Sequence, residues 1–225
     1  MTEIEYLGHS AFAIRNDGKE VLIDPFLSDN PKAPASASKV RPDLILVTHA
    51  HHDHLGDAVE LSRRFGCPVL SVSEINDRVE SEGGRSLPGN IGGDVVLPFC
   101  RVKIFPAVHS SSFEDGSYGG KPCSFLLHMG GRTVFHAGDT ALFSDLSLVA
   151  EEGGIDAALL PVGGTFTMGL RDAVKAMRLL RARVMVPMHY DTWEAIAVDR
   201  GALMSAGEDG RFAVNPLVPG ERLVL

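Results

Sequence analysis

Four times in this chain an apolar, β-rich run stops on a histidine or an aspartate. LILVTH ends at His49, RVKIFPAVH at His109, TVFHAGD at Asp139 and VMVPMH at His189. Packing alone gives no reason for ligand-capable side chains at four such places, where small turn residues are the usual choice. A chain with this pattern has to gather several strand ends along one edge, which is where α/β folds carry their chemistry. The first of the four ends is the richest. His49-Ala50-His51-His52-Asp53-His54 holds four of the nine histidines and runs straight into the amphipathic stretch DAVELSRRF. VLIDPF adds Asp24 at one more strand end.

The text between these points alternates in type. IEYLG, SAFAI and EVLIDPF read as strands, with Asn16-Asp17-Gly18 as hairpin chemistry because Asn and Gly tolerate positive φ. DNPKAPASASKV reads as a loop, DLILV as a buried strand and DAVELSRRFG as a helix stopped by Gly66. PVLSVS is a strand and SEINDRVESEGG a capped helix. GDVVLPF, RVKIFPAVH, CSFLLHM and RTVFHAGD are strands. They are followed by a helix near SDLSLVAEEG, the strand DAALLPV, the helix RDAVKAMRLLRA, the strand VMVPMH and a last strand in NPLVPGERLVL. Strands followed by alternating β/α units, twice over, predict two sheets with helices outside. No linker, repeat or low-complexity tract divides the chain, so residues 1–225 read as a single α/β domain.

Composition narrows the function classes. The chain is 44% hydrophobic and 22% charged with a net charge of −8. Nucleic acids and anionic membranes repel such a surface, so both are disfavoured as partners and a small molecule is expected. An anionic small molecule remains open, because a metal cluster in a pocket attracts anions locally. No apolar run is long enough to span a bilayer, and MTEIEYLGHS lacks the pattern of a secretory leader. Cys67, Cys100 and Cys123 are odd in number and far apart, which predicts free thiols and a reducing, cytoplasmic setting. Monomer and homo-oligomer are both compatible with the sequence.

Imidazole suits zinc and related metals, and a carboxylate adds a hard oxygen ligand. Ligands two apart in an extended turn can converge on one ion, and the Asp53-His54 pair that follows can serve a second. The order HxHxDH, then a later His, then Gly-Asp, then a last His resembles the metallo-β-lactamase superfamily. EYLGHSAF, LIDPF, THAHHDHLGD, VFHAGDT, LLPVGGTFTMG and VPMHYDT are similar to a narrower branch. That branch is the microbial metal-dependent hydrolases related to ascorbate-6-phosphate lactonase, and the match runs from Tyr6 to about Thr192. The resemblance implies an αββα four-layer sandwich of two mixed sheets with helices outside. It implies two divalent metal ions, zinc first, with manganese or iron as alternatives. His49, His51 and His109 would bind one ion, Asp53, His54 and His189 the other, and Asp139 both. A hydroxide bridging the ions would then attack an ester, lactone or related bond, with Asp53 and Asp139 as the catalytic carboxylates.

The departures also discriminate. His51 stands where oxygen- and nitric-oxide-reducing relatives carry Glu, which disfavours a redox diiron centre. Too few residues follow His189 for the helical domain of glyoxalase-II-like relatives. Two other functions stay in view: a phosphodiesterase acting on nucleotides or short RNA, and a metal-binding sensor or scaffold without turnover. The first predicts a basic patch, and the second usually goes with a lost ligand.

The plainer readings are a solvated helix-capping turn for His49 to His54, core histidines for His109 and His189, and a turn aspartate for Asp139. The agreement of all seven outweighs them. His9 either lines the cleft or bonds within the first hairpin, and Asp24 orients a ligand histidine from behind. Thr165 and Thr167 are substrate candidates in the Gly-rich GGTFTMG, whose backbone N–H groups could bind an anion. His52 and His128 read as surface residues, and His136 and Cys123 as packing. The polar stretch 110–122 reads equally as a mobile loop or a substrate lid.

Overall fold

β-Branched and leucine-rich runs such as LIL, AALLP and VMVPM are buried almost throughout, as strands covered on both faces should be. The computed structural model describes residues 1–207 and 212–225. In chain order the strands are β1 (Glu3–Gly8), β2 (Ala11–Asn16), β3 (Lys19–Ile23), β4 (Leu44–Leu46), β5 (Pro68–Leu70) and β6 (Arg85–Leu87). Then come β7 (Asp94–Leu97), β8 (Cys100–Pro106), β9 (Cys123–Met129), β10 (Arg132–His136), β11 (Ala157–Pro161), β12 (Val184–Met188), β13 (Ala213–Val214) and β14 (Arg222–Val224). They form two seven-stranded sheets, β14-β1-β2-β3-β4-β5-β6 and β13-β12-β11-β10-β9-β8-β7.

Each sheet joins an antiparallel half to a parallel half. β1–β2–β3 is antiparallel and β3–β4–β5–β6 parallel; β7–β8–β9–β10 is antiparallel and β10–β11–β12–β13 parallel. Two reversals restore direction, so β1, β3 and β4 all end at the same edge of the first sheet. By the same rule β8, β10 and β12 end at one edge of the second. Backbone bonds stitch these edges together. The Cys123 amide donates to the Thr48 carbonyl (2.9 Å) and the His189 amide to the His9 carbonyl (2.8 Å). His136 Nε2 donates to the Ser10 carbonyl (3.0 Å), which accounts for a fully buried histidine by packing, as expected.

Helices flank the sheets: α1 (His52–Leu55), α2 (Ala58–Phe65), α3 (Ser73–Ser81), α4 (Leu146–Val149), α5 (Leu170–Leu180) and α6 (Arg200–Ser205). In α5, Ala173, Ala176, Met177 and Leu180 form one buried stripe and the charged residues face out. The two mixed sheets with helices outside are the architecture anticipated above.

Details differ from the sequence reading. β8 stops at Pro106 and β10 at His136, so His109 and Asp139 sit in the turns beyond their strands. The helix α3 starts after Val72, with no side-chain cap. A short 3-10 turn at Ala35–Lys39 lies inside the expected loop. β6, β13 and α6 lie in text that carries no clear periodicity.

Candidate metal centre

The centre is built from the back forwards. Asp24, at the end of β3 with φ 46°, is fully buried. Its carboxylate accepts from the Thr48 amide (2.8 Å), the Thr48 hydroxyl (2.7 Å) and His54 Nδ1 (2.7 Å). That fixes the tautomer of His54 and turns its Nε2 toward Asp139 Oδ1, 3.3 Å away. The Thr48 hydroxyl gives its proton to Asp24 and so accepts from His49 Nδ1 at 3.0 Å. His49 Nε2 is left with a lone pair facing forward, 3.0 Å from His51 Nδ1. One carboxylate and one hydroxyl therefore aim two imidazoles.

The second sheet supplies the rest. Asp139 Oδ2 lies 3.0 Å from His189 Nε2, 3.6 Å from His109 Nε2 and 4.0 Å from His49 Nε2. Three groups of donors each lie within 4.8 Å of one another: His49, His51 and His109; His49, His54 and Asp139; and His9, Asp53, His54 and His189. All seven histidines and aspartates singled out from the sequence are thus brought together. Asp53 and His109 keep 24% and 15% of their side chains exposed and His51 is half-buried, whereas His49, His54, Asp139 and His189 are buried, so the cluster opens on the side of the first three.

Cation binding can be tested on the polar atoms themselves. His54 Nε2 and Asp139 Oδ1 are buried and, among the described residues, neither makes a hydrogen bond. Leaving two such atoms unpaired costs free energy that a coordinated cation would recover. The ionisation pattern agrees for the donors other than His54. Burial, the largest influence on Asp139, works against its charge, yet His54 and His189 hold it well below the usual carboxylate range. Burial likewise opposes charge on His54, but Asp139 and Asp24 raise it well above an ordinary imidazole. Burial and the neighbouring His54 keep His49 low, and burial lowers His51 and His109. A metal requires neutral imidazoles and ionised carboxylates, so His49, His51, His109 and Asp139 already favour the binding form, whereas His54 must give up a proton.

His9 joins the site. It is fully buried with φ 57°; its Nε2 donates to Asp53 Oδ2 (3.0 Å) and its Nδ1 accepts from the Thr192 hydroxyl (2.8 Å). Burial holds it down to about 4, so it is a neutral imidazole. His52 points outward between Asp29 and Glu114, each 3.3 Å away. His128 is partly buried and its Nδ1 meets the Thr133 hydroxyl at 3.0 Å; Cys123 is fully buried.

Thr165 and Thr167 make no hydrogen bond to the donors among the described residues. Their hydroxyls bond the carbonyls of Ala195 and Met168, and the amides of Thr165 and Met168 are already bonded to Gly163 and Thr140. Stretch 110–122 is tied down rather than loose. The Ser111 hydroxyl accepts from the Ala50 amide, and Arg78 bonds Asp115 and Ser117 and lies 4.2 Å over the Phe113 ring. Sequence reasoning missed Thr48 and Thr192. Thr48 stands immediately before the first histidine of the motif, a usable signal; Thr192 has none.

The sheet edges and the histidine–aspartate cluster together define a metallo-hydrolase of the metallo-β-lactamase fold. Residues 3–189 match the Beta-lactamase superfamily domain, and the chain belongs to that family. Within it, the chain is 47% identical over 225 residues to a UPF0173 metal-dependent hydrolase of Thermus thermophilus, covering all of both chains. It is 43% identical to one of Carboxydothermus hydrogenoformans, covering 99% of this chain and 100% of the relative. Among solved structures it resembles Igni18, a metallo hydrolase from Ignicoccus hospitalis, with 36% identity and a TM-score of 0.89 over 99% of this chain and 97% of that one. The protein is a metal-dependent hydrolase of this superfamily.

Proposed function

We propose that the protein is a binuclear hydrolase that cleaves an ester, lactone or related bond of a small molecule, with the whole chain acting as one hydrolase domain. The observation that carries this is three overlapping groups of donors: His49, His51 and His109; His49, His54 and Asp139; and His9, Asp53, His54 and His189. On this reading His49, His51 and His109 serve one ion, and Asp53, His54 and His189 the other. These are the residues that would hold the two ions, with Asp139 shared. Zinc fits the five imidazoles and two carboxylates best, and manganese or iron are alternatives. When bound, such a pair of ions polarises the electrophile and lowers the pKa of water enough for attack near neutral pH.

The chain's own residues do the rest. Asp24 and Thr48 hold His54 and His49 in register, and His9 holds Asp53. Asp53, with its carboxylate partly exposed, is the group placed to pass a proton to or from the leaving atom. Burial raises Asp53, but the hydrogen bond from His9 and the charge of His54 hold it well below the usual carboxylate range, so it stays ionised, as a metal ligand must. Three buried free cysteines are compatible with a reducing compartment such as the cytoplasm.

Elemental analysis of purified protein tests the reading, with His49→Ala alongside and a screen of lactones, esters and thioesters. About two equivalents of metal, falling in the variant, together with turnover, is the expected result. A protein that takes up no metal on reconstitution would remove the reading.

A further inference from the structure

Among the described residues, the aromatic side chains left exposed are Tyr118 (63%), Phe166 (58%) and Trp193 (40%). All three lie in loops that leave the metal edge, and each loop is fixed to a residue beside a donor. A Cβ on Gly119 would lie 2.3 Å from that of Ala50, which stands between His49 and His51, so the backbone next to Tyr118 lies directly on that turn. The Phe166 loop is held at both ends. A Cβ on Gly163 would meet the His189 carbonyl at 2.3 Å, and the Met168 amide donates to Thr140, next to Asp139. The Trp193 ring is 4.8 Å from that of His9 and 6.3 Å from Phe26. Val108, beside His109, is also half exposed.

Exposed apolar groups scattered singly over a surface need no explanation. Here three loops from different parts of the chain each start beside a donor of the same edge, and the Phe166 and Trp193 loops are joined by the Thr165 hydroxyl donating to the Ala195 carbonyl; apolar groups gathered in this way mark a binding surface. The charge on the same loops has one dominant sign. Glu114, Asp191 and Glu194 are exposed there, Asp115 is paired with Arg78, Lys121 is the cation the loops themselves carry, and Asp29 adds a carboxylate beside His52. Ions at the donors would attract the reacting group, but the part of a substrate lying on the rim meets aromatic faces and carboxylates.

We infer that the substrate is uncharged outside its reacting bond and carries an aromatic or other apolar group that packs on Trp193, Phe166 and Tyr118. This rests on the hydrolytic reading above and narrows it. It excludes phosphorylated sugar acids and nucleotides, whose phosphate would lie against carboxylates.

Trp193 is the single tryptophan of the chain, so its emission reports on the rim without any turnover. Metal-loaded protein is titrated with N-benzylacetamide, a neutral aryl amide, and separately with 6-phosphogluconate. The expected result is a saturable emission change with the amide and none with the phosphate. In Phe166→Ala and Tyr118→Ala the amide should bind about tenfold more weakly. No response to the amide, or tighter binding of the phosphate, overturns the inference. So does a dimer in sedimentation that Phe166→Asp splits, since a second copy would then cover the rim. Failure of the parent reading looks different: no ester, lactone or thioester is cleaved, whatever the emission shows.

Discussion

Replacing His9 by alanine deletes the hydrogen bond to Asp53 and the one from Thr192 in a single step. Asp53 is then free to rotate toward solvent, since its other close imidazole, His189 Nε2, is 3.9 Å away. Loss of such a supporting partner typically costs about 10–100-fold in metal affinity or activity. The expected outcome for His9→Ala is a loss in that range in chelator competition, affecting one ion more than the other. Thr192→Val should show a smaller effect of the same kind, and unchanged affinity in both would sink the orienting role. A second prediction follows from His54, whose pKa is raised in the ion-free protein, chiefly by Asp139 and Asp24 against the pull of burial. The raised pKa favours a proton on Nε2, the atom that faces Asp139, and an ion taking that place must displace it. Metal binding should therefore release about one proton and weaken as pH falls. Calorimetry in two buffers of different ionisation enthalpy measures it; zero release would contradict this account. At this scale the sequence was informative where a residue type was chemically unusual for its place. Asp24 before Pro25 stood out, whereas Thr192 is an ordinary threonine whose partner lies 183 positions away.

The turn after β10 shows how an element boundary becomes a functional constraint. The strand stops at His136, and Ala137-Gly138 then swings Asp139 into the centre. Gly138 has φ +60°, and a Cβ there would lie 2.8 Å from the Thr48 side chain and 2.9 Å from the Cys123 carbonyl. Gly138→Ala should thus lower stability by at least about 2 kcal/mol, from left-handed strain plus the clash, and lower metal content as well. Gly131→Ala is the control, because Gly131 has φ +73° but nothing within 4 Å of its Cβ position. It should cost about 1 kcal/mol and leave metal content alone. Equal effects in urea unfolding would mean that the close approach to Thr48 does not matter. Long elements with strong patterns, such as β8, β9 and α5, were legible because their apolar residues repeat at strand or helix spacing. β6 and β13 were not: three and two residues long, they carry too few side chains for a period and exist because a sheet edge receives them. The tie between stretch 110–122 and α3 was equally hidden, since Arg78 and Asp115 are 37 positions apart.

The seven proposed metal donors are divided between the two halves of the molecule. His49, His51, Asp53 and His54 follow β4 of the first sheet, while His109, Asp139 and His189 follow β8, β10 and β12 of the second. Protein contacts already join the edges through the bonds of Cys123 to Thr48 and of His189 to His9. Ions held between His49 and His109, and between His54, Asp139 and His189, would add links that form only when both sheets are in place. Such ions bind the native state and not the unfolded chain, so the stabilisation is RT ln(1 + [M]/Kd), about 4 kcal/mol at a thousandfold excess over Kd. Urea unfolding of metal-loaded protein should therefore show a midpoint that climbs with the logarithm of free metal, and chelation should lower it. Asp139→Ala, which removes the donor shared between the two groups, should flatten that dependence while leaving the protein folded, because His54 keeps its bond to Asp24 and the sheet edges keep their backbone bonds. A chelator that moves the wild-type midpoint no more than the variant's would mean that no ion spans the sheets, and the shared edge would then be held by its backbone bonds and its core alone.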